Sequence, residues 1–213
     1  VDYKVTPKTQ LGIGAGYNNS PVEEGSSSEA VNVSGRLSWQ MTEKISLRGS
    51  AGWERRKNEE VRAAIVPGKE DDAGSADGIT QDSPIFNLGM LYALRENTSV
   101  TLDTYRSFRP SISEINQTFY STGVVLSLSQ RIHDRFSCTL SAGYESAEYE
   151  GAVEGVVADR TDNYWYVRPQ ISYTIGSRLT LSAYYQYSEN DSKGSEAVSF
   201  DSSLIGTTIS YSF

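Results

Sequence analysis

One cysteine, one histidine and two methionines are all that this sequence of 213 residues contains of those types. Cys138 has no second thiol with which to close an intrachain disulfide, so the fold relies on hydrogen bonds rather than cross-links. Leu-rich helical stretches are missing too. No run reaches the roughly eighteen consecutive apolar residues that a membrane-spanning helix needs. No start Met or signal peptide stands at Val1, a neutral absence because a secreted protein loses its signal. Basic residues are outnumbered, 19 against 27 acidic ones, for a formal charge of −8. That balance argues against a nucleic-acid partner, whose phosphates demand a basic face.

Strand chemistry is what the chain has in quantity: 18 Gly and 14 Tyr beside abundant Ser and Thr. Acidic residues gather between the apolar segments, at Glu23, Glu24, Glu59, Glu60, Glu70, Asp71, Asp72, Glu148, Glu150 and Glu189, and read as solvated loops. One short pattern recurs in constant phase: aromatic, any, aliphatic, three turn residues, apolar or Thr, polar, aliphatic. It appears around the turns Thr6-Pro7-Lys8, Thr42-Glu43-Lys44, Arg95-Glu96-Asn97, His133-Asp134-Arg135 and Gly176-Ser177-Arg178. A sixth copy begins at Tyr211-Ser212-Phe213. Each copy joins two alternating segments as a hairpin, while the connections between copies are longer and acidic.

Alternate residues divide into two faces. Leu11, Ile13, Ala15 and Tyr17 oppose Gly12, Gly14, Gly16 and Asn18. Val31 to Trp39 and Ile45 to Trp53 repeat the division against Asn, Ser, Arg and Gly. The same split runs through seven later segments, ending with Ile205, Thr207, Ile209, Tyr211 and Phe213. The aromatics on the apolar face fall in two groups. Trp39, Tyr92, Tyr173 and Tyr211 lie toward the short turns, and Trp53, Tyr144, Trp165 and Tyr187 toward the long connections. Two such girdles suit a membrane's two interfaces, which a soluble β-sandwich has no reason to mark.

These features predict an all-β chain: an antiparallel transmembrane β-barrel of the outer-membrane type, with about ten complete strands and an N-terminal stump at Val1 to Val5. Bacterial single-chain barrels have even strand numbers, so the stump suggests upstream strands and a larger barrel of which residues 1–213 are the C-terminal portion; a periplasmic lead-in to a ten-stranded barrel is the alternative. Short turns and C-terminus would be periplasmic and the long acidic loops extracellular.

The segments Tyr3-Lys4-Val5-Thr6-Pro7-Lys8-Thr9, Leu140-Ser141-Ala142-Gly143-Tyr144 and Ile209-Ser210-Tyr211-Ser212-Phe213 resemble the outer-membrane β-barrel porin family linked to exopolysaccharide export and exosortase-type surface systems. The likeness runs along essentially the whole chain, though hairpin motifs of this kind are shared by many barrels. It implies a pore or export conduit for polysaccharide or small polar solutes, and it supplies no catalytic residues. Tyr211 and Phe213 look like the terminal signal read by the barrel-assembly machinery. Lipid, lipopolysaccharide and export-system proteins are the other partners implied.

Inward charges are few: Arg36, Arg48 and Arg168 against Glu54, Asp103 and Glu145. They would either line a conduit and bias its solutes or pair into an ionic ladder that fills a narrow lumen. Gly12, Gly14 and Gly16 lack the spacing of a dinucleotide fingerprint and read as wall glycines. The acidic residues from about Lys57 to Ser83, including Asp77 and Asp82, could hold calcium or bridge lipopolysaccharide phosphates, but their order departs from the twelve-residue calcium loop and a solvated loop is favoured. Tyr164 and Tyr166 read as loop-tip residues able to stack on sugars, with membrane-girdle duty an equal explanation. His133 falls in a short turn, far from any outer-rim Ser or carboxylate, so no enzyme, cofactor or resident metal is expected. A non-conducting barrel that anchors surface loops or a partner is the rival to the pore.

Overall fold

The structure, a computed structural model, describes residues 1–20, 28–58, 80–110, 117–151, 160–194 and 197–211. These residues form one antiparallel sheet of eleven strands in sequence order. They are β1 (Asp2–Thr6), β2 (Thr9–Ser20), β3 (Ser28–Gln40), β4 (Ile45–Asn58), β5 (Thr80–Arg95), β6 (Thr98–Pro110), β7 (Gln117–His133), β8 (Phe136–Gly151), β9 (Thr161–Ile175), β10 (Leu179–Lys193) and β11 (Phe200–Tyr211). The expected stump is the five-residue β1, and ten long strands follow it. Among the described residues β1 and β11 do not pair with each other, so the wall is not closed.

Three of the five recurring turns are tighter than the sequence pattern implies, while the β3–β4 connection has four residues, 41–44. In the hairpins after β1, β5 and β7 the first turn residue pairs across the ladder, as Thr6 with Thr9, Arg95 with Thr98 and His133 with Phe136. The register shifts just before each of these pairs, leaving Val5, Leu94 and Ile132 unpaired. A bulge therefore absorbs one of the three turn residues, a usual way for a twisted hairpin to close. Only the β9–β10 hairpin keeps three turn residues. It opens on Gly176 at φ 63°, a left-handed conformation that costs least without a side chain.

The ladder has a constant stagger. One transverse row runs Thr9, Trp39, Leu47, Met90, Leu102, Leu126, Ala142, Val167, Tyr187. Measured from the turn centres Pro7, Glu43, Glu96, Asp134 and Ser177, the row climbs two residues per hairpin, or one per strand. With a rise of about 3.3 Å per residue and strands about 4.8 Å apart, this tilts the strands by roughly 35°. Outer-membrane barrels tilt by a similar amount.

Burial is inverted relative to a soluble sheet protein. Ile13, Ile171 and Ile209 on the apolar face are 72%, 51% and 73% exposed, whereas Ser121, Ser141 and Ser188 on the polar face are 0%, 5% and 5% exposed. Only Ala30, Tyr120 and Ala147 are buried apolar residues among those described. A soluble sandwich would bury the first set and expose the second, because apolar area removed from water is what stabilises its core. Here the curved sheet encloses its polar side and presents a continuous apolar belt outward, the arrangement of a transmembrane barrel.

Candidate functional site: the inner face of the wall

Strand alternation places Arg36, Arg48, Glu54, Asp103, Glu145 and Arg168 all on the polar, inner face. They do not pair with one another within ion-pair distance. Arg36 Nη2 instead reaches Asp2 at 3.2 Å and donates to the Ile13 carbonyl at 3.3 Å. Glu54 meets Arg56, two residues along the same face, at 3.0 Å. Glu145 accepts a hydrogen bond from the Tyr105 hydroxyl and lies 3.9 Å from Arg109. Asp103 and Arg48 both lie against Gly89. The Arg168 guanidinium stands 5.4 Å from the centre of the Tyr184 ring, and its buried Nε has no hydrogen-bond partner. The arrangement is a set of separate local clusters, neither a single charged ring nor one continuous ladder.

Sequence reading missed the aromatic content of this face. Tyr105, Tyr164, Tyr166 and Tyr184 all point inward, and three of them lie directly across a pair of strands from glycine: Tyr105 from Gly123, Tyr166 from Gly143, Tyr184 from Gly206. Each ring occupies the space that a side chain on the facing glycine would take. Tyr164 and Tyr166 are therefore not loop-tip residues. They belong to β9, with ring centroids 6.1 Å apart, and the Gln186 side chain donates to the Tyr164 hydroxyl at 3.1 Å. Their alternation with Trp165 was the signal available in the sequence, and the facing glycines the confirmation.

Toward the long connections the inner face is closed by Phe119 stacked on Tyr149 at 4.9 Å, with the Arg160 guanidinium 4.8 Å from the Tyr149 ring centre. Arg160 also forks onto Asp162 at 2.8 and 2.6 Å, and the Ser192 hydroxyl donates to the same carboxylate. A cavity of about 480 Å³ opens where β5 and β6 part. Their ladder stops at Phe86 and Arg106, although β5 stays paired with β4 to Thr80 and β6 with β7 to Pro110. Glu54, Ile85, Tyr105, Phe108 and Arg109 are among its lining residues, and Arg56 stacks on Phe108 with 3.6 Å between guanidinium carbon and ring centre.

The apolar-face aromatics occupy two heights. Trp39, Tyr92 and Tyr173 stand four residues from their turn centres, Trp53, Tyr144 and Tyr187 ten, and Trp165 twelve. Tyr3 and Tyr17 fall at the same two heights. At the tilt above, the two levels lie roughly 16 to 22 Å apart along the axis of the wall. Trp165 and Tyr187 touch, with centroids 5.5 Å apart, and the Tyr144 hydroxyl donates to Asn163 at 2.7 Å. Tyr211 is exposed on the same face, opposite Leu179. Phe213 lies outside the described residues, as does most of the acidic stretch expected between Lys57 and Ser83. That connection is shorter than expected, because β4 runs to Asn58 and β5 starts at Thr80; Asp82 is a strand residue, bound in a two-pronged pair by Arg55 at 2.8 and 3.0 Å. Gly12, Gly14 and Gly16 form part of β2, not a phosphate loop, and His133 ends β7 at a tight turn.

An apolar belt outside, a polar face within and a tilted antiparallel ladder define the class: an outer-membrane type β-barrel. No protein-family model matches the chain, and no curated protein does. Solved structures do. The chain is similar to OmpT, an outer membrane protein of Vibrio cholerae, at TM-score 0.54 and 14% identity, covering 99% of this chain and 62% of that one. It is similar to the copper transporter OprC at TM-score 0.64 and 11% identity, over 97% of this chain and 40% of that one. Against the ferric-catecholate import receptor Fiu of E. coli K12 the values are 0.52 and 10%, over 98% and 44%. The chain thus spans from two fifths to about three fifths of the length of these barrels. At such identities the likeness establishes the fold.

One expectation is corrected by these matches. The sequence reading excluded an enzyme on the position of His133, but the likeness to OmpT, an outer membrane protein, removes that exclusion. A barrel shared at 14% identity carries different chemistries on different loops, so the fold leaves enzyme status open.

Proposed function

We propose that this chain forms the wall of an outer-membrane pore or export conduit for polar solutes, polysaccharide among them. The observation that carries the reading is the inversion of burial: serines of the polar face are sheltered, while the opposite face exposes a belt of residues such as Ile13, Leu126, Ile171 and Ile209. In this reading the two aromatic levels are the membrane girdles, the short turns and C-terminus are periplasmic, and the long acidic connections are extracellular, where divalent cations can bridge them to lipopolysaccharide. Arg36, Arg48, Glu54, Asp103, Glu145 and Arg168 line the conduit. Tyr211 and Phe213 serve as the signal to the barrel-assembly machinery, and export-system proteins dock at the periplasmic rim.

β1 and β11 run in the same direction, so they cannot join antiparallel to each other. Closing the wall antiparallel throughout takes an odd number of further strands, from this polypeptide or another, which favours a lumen wider than eleven strands enclose. The inner tyrosines favour a second reading, a filled barrel that anchors a partner. Ion current through the full chain folded into planar bilayers decides between them. Discrete conductance steps are expected, and a folded, heat-modifiable protein that passes no current would sink the pore.

A further inference from the structure

The geometry points to a carbohydrate-binding track on the inner face of β9 and β10, formed by the rings of Tyr164, Tyr166 and Tyr184 with Arg168 and Gln186 between them. This rests on the conduit reading and names the ligand class of its wall. The three tyrosines stand thirteen, eleven and seven residues from the Ser177 turn centre, so at the wall's tilt they span about 16 Å along the axis. Two of the rings are fixed against the wall. Tyr166 lies over Gly143 and Tyr184 over Gly206, each in space that a side chain would otherwise fill. Rings backed in this way lose little entropy when a ligand settles on them.

The polar groups beside them match a sugar rather than a hydrocarbon. A pyranose ring has an apolar C–H face and a rim of hydroxyls. It therefore needs an aromatic surface with donors and acceptors at its edge, the combination that tyrosine's amphipathic ring provides. Gln186 donates to the Tyr164 hydroxyl, and the Arg168 guanidinium stands beside the Tyr184 ring. These groups put hydrogen-bonding capacity at the edges of the rings, where the hydroxyls of a stacked sugar would lie. Elsewhere on the inner face, β2 to β4 present Gly14, Ser34 and Ser50.

The test is direct binding to the full chain, folded in detergent, of a panel of linear hexasaccharides: maltohexaose, chitohexaose and an alginate hexamer. Saturation-transfer NMR reads contact, and titration reads affinity. At least one hexasaccharide should bind saturably, about tenfold more weakly to Tyr166→Ala and Tyr184→Ala. Tyr166→Phe should retain most of the affinity, since the stacking face remains. Sorbitol, which has hydroxyls but no ring, should not compete. Binding by none of the panel, or binding equal in the Ala variants that keep heat-modifiable migration, overturns the track. The readout needs no current, so it fails independently of the pore.

Discussion

The two sides of the inner face are built on opposite plans. Along β2 to β4 it is lined mostly by Gly12, Gly14, Gly16, Ser34, Ser38, Ser46 and Ser50, with Arg36 half exposed beside its partner Asp2, Arg48 lower on β4 and the Glu54–Arg56 pair toward the long connections. Along β6 to β10 the same face carries Tyr105, Tyr149, Tyr164, Tyr166 and Tyr184, seated over glycines or joined to Glu145, Arg160 and Gln186. One side is thin and wet, and the other is thick and cross-braced. Glycines differ along the face: Gly14 has open room, its added Cβ meeting Ser34 and Arg36 only in ordinary contact, Gly52 is crowded by the backbone of β3, and Gly143 and Gly206 are seats for rings.

If the difference is confined to the inner face, the outer face should not know of it. Leu37→Arg on the thin side and Leu126→Arg on the thick side should each cost about 2 to 4 kcal/mol, as a cation placed toward the bilayer midplane does. Urea unfolding of protein folded into vesicles, followed by tryptophan fluorescence, measures both. A large disparity would mean that the apolar belt is not continuous. Next in size, Gly143→Ala and Gly206→Ala must displace Tyr166 and Tyr184 and should cost roughly 1 to 3 kcal/mol in the same assay, the usual range for overpacking. Gly14→Ala should cost under about 0.5 kcal/mol, like an ordinary surface change. Equal effects at all three positions would erase the comparison. Smallest are the polar contacts. Glu145→Gln, which weakens contacts to Tyr105 and Arg109, should lose on the order of 1 kcal/mol, and Arg36→Ala, at an exposed pair, less than about 0.5 kcal/mol with the remainder removed by salt.

Much of the wall was legible in the sequence because a strand's period is two and needs no partner to be read. Leu11, Ile13 and Tyr17 announce their face by alternation alone, and Trp39, Tyr92 and Tyr173 announce their height by distance from a turn. The inner clusters were not legible to the same degree. Glu54 was grouped with distant arginines, yet its partner is Arg56 on its own strand. Glu145 takes Tyr105 from two strands away because the ring leans across Gly123. Tyr164 and Tyr166 read as loop-tip residues although the outward Trp165 between them marks a strand, because a tyrosine suits a loop tip and an inner wall equally well and the facing Gly143 is known only from the register.

By itself the sequence determined which side chains face out, how many hairpins there are and where they turn, since each follows from local alternation and turn chemistry. The tertiary structure decided which inward residues meet. Cross-strand neighbours depend on the stagger of one residue per strand and on the bulges at Val5, Leu94 and Ile132, and a shift of a single residue would bring a different set together.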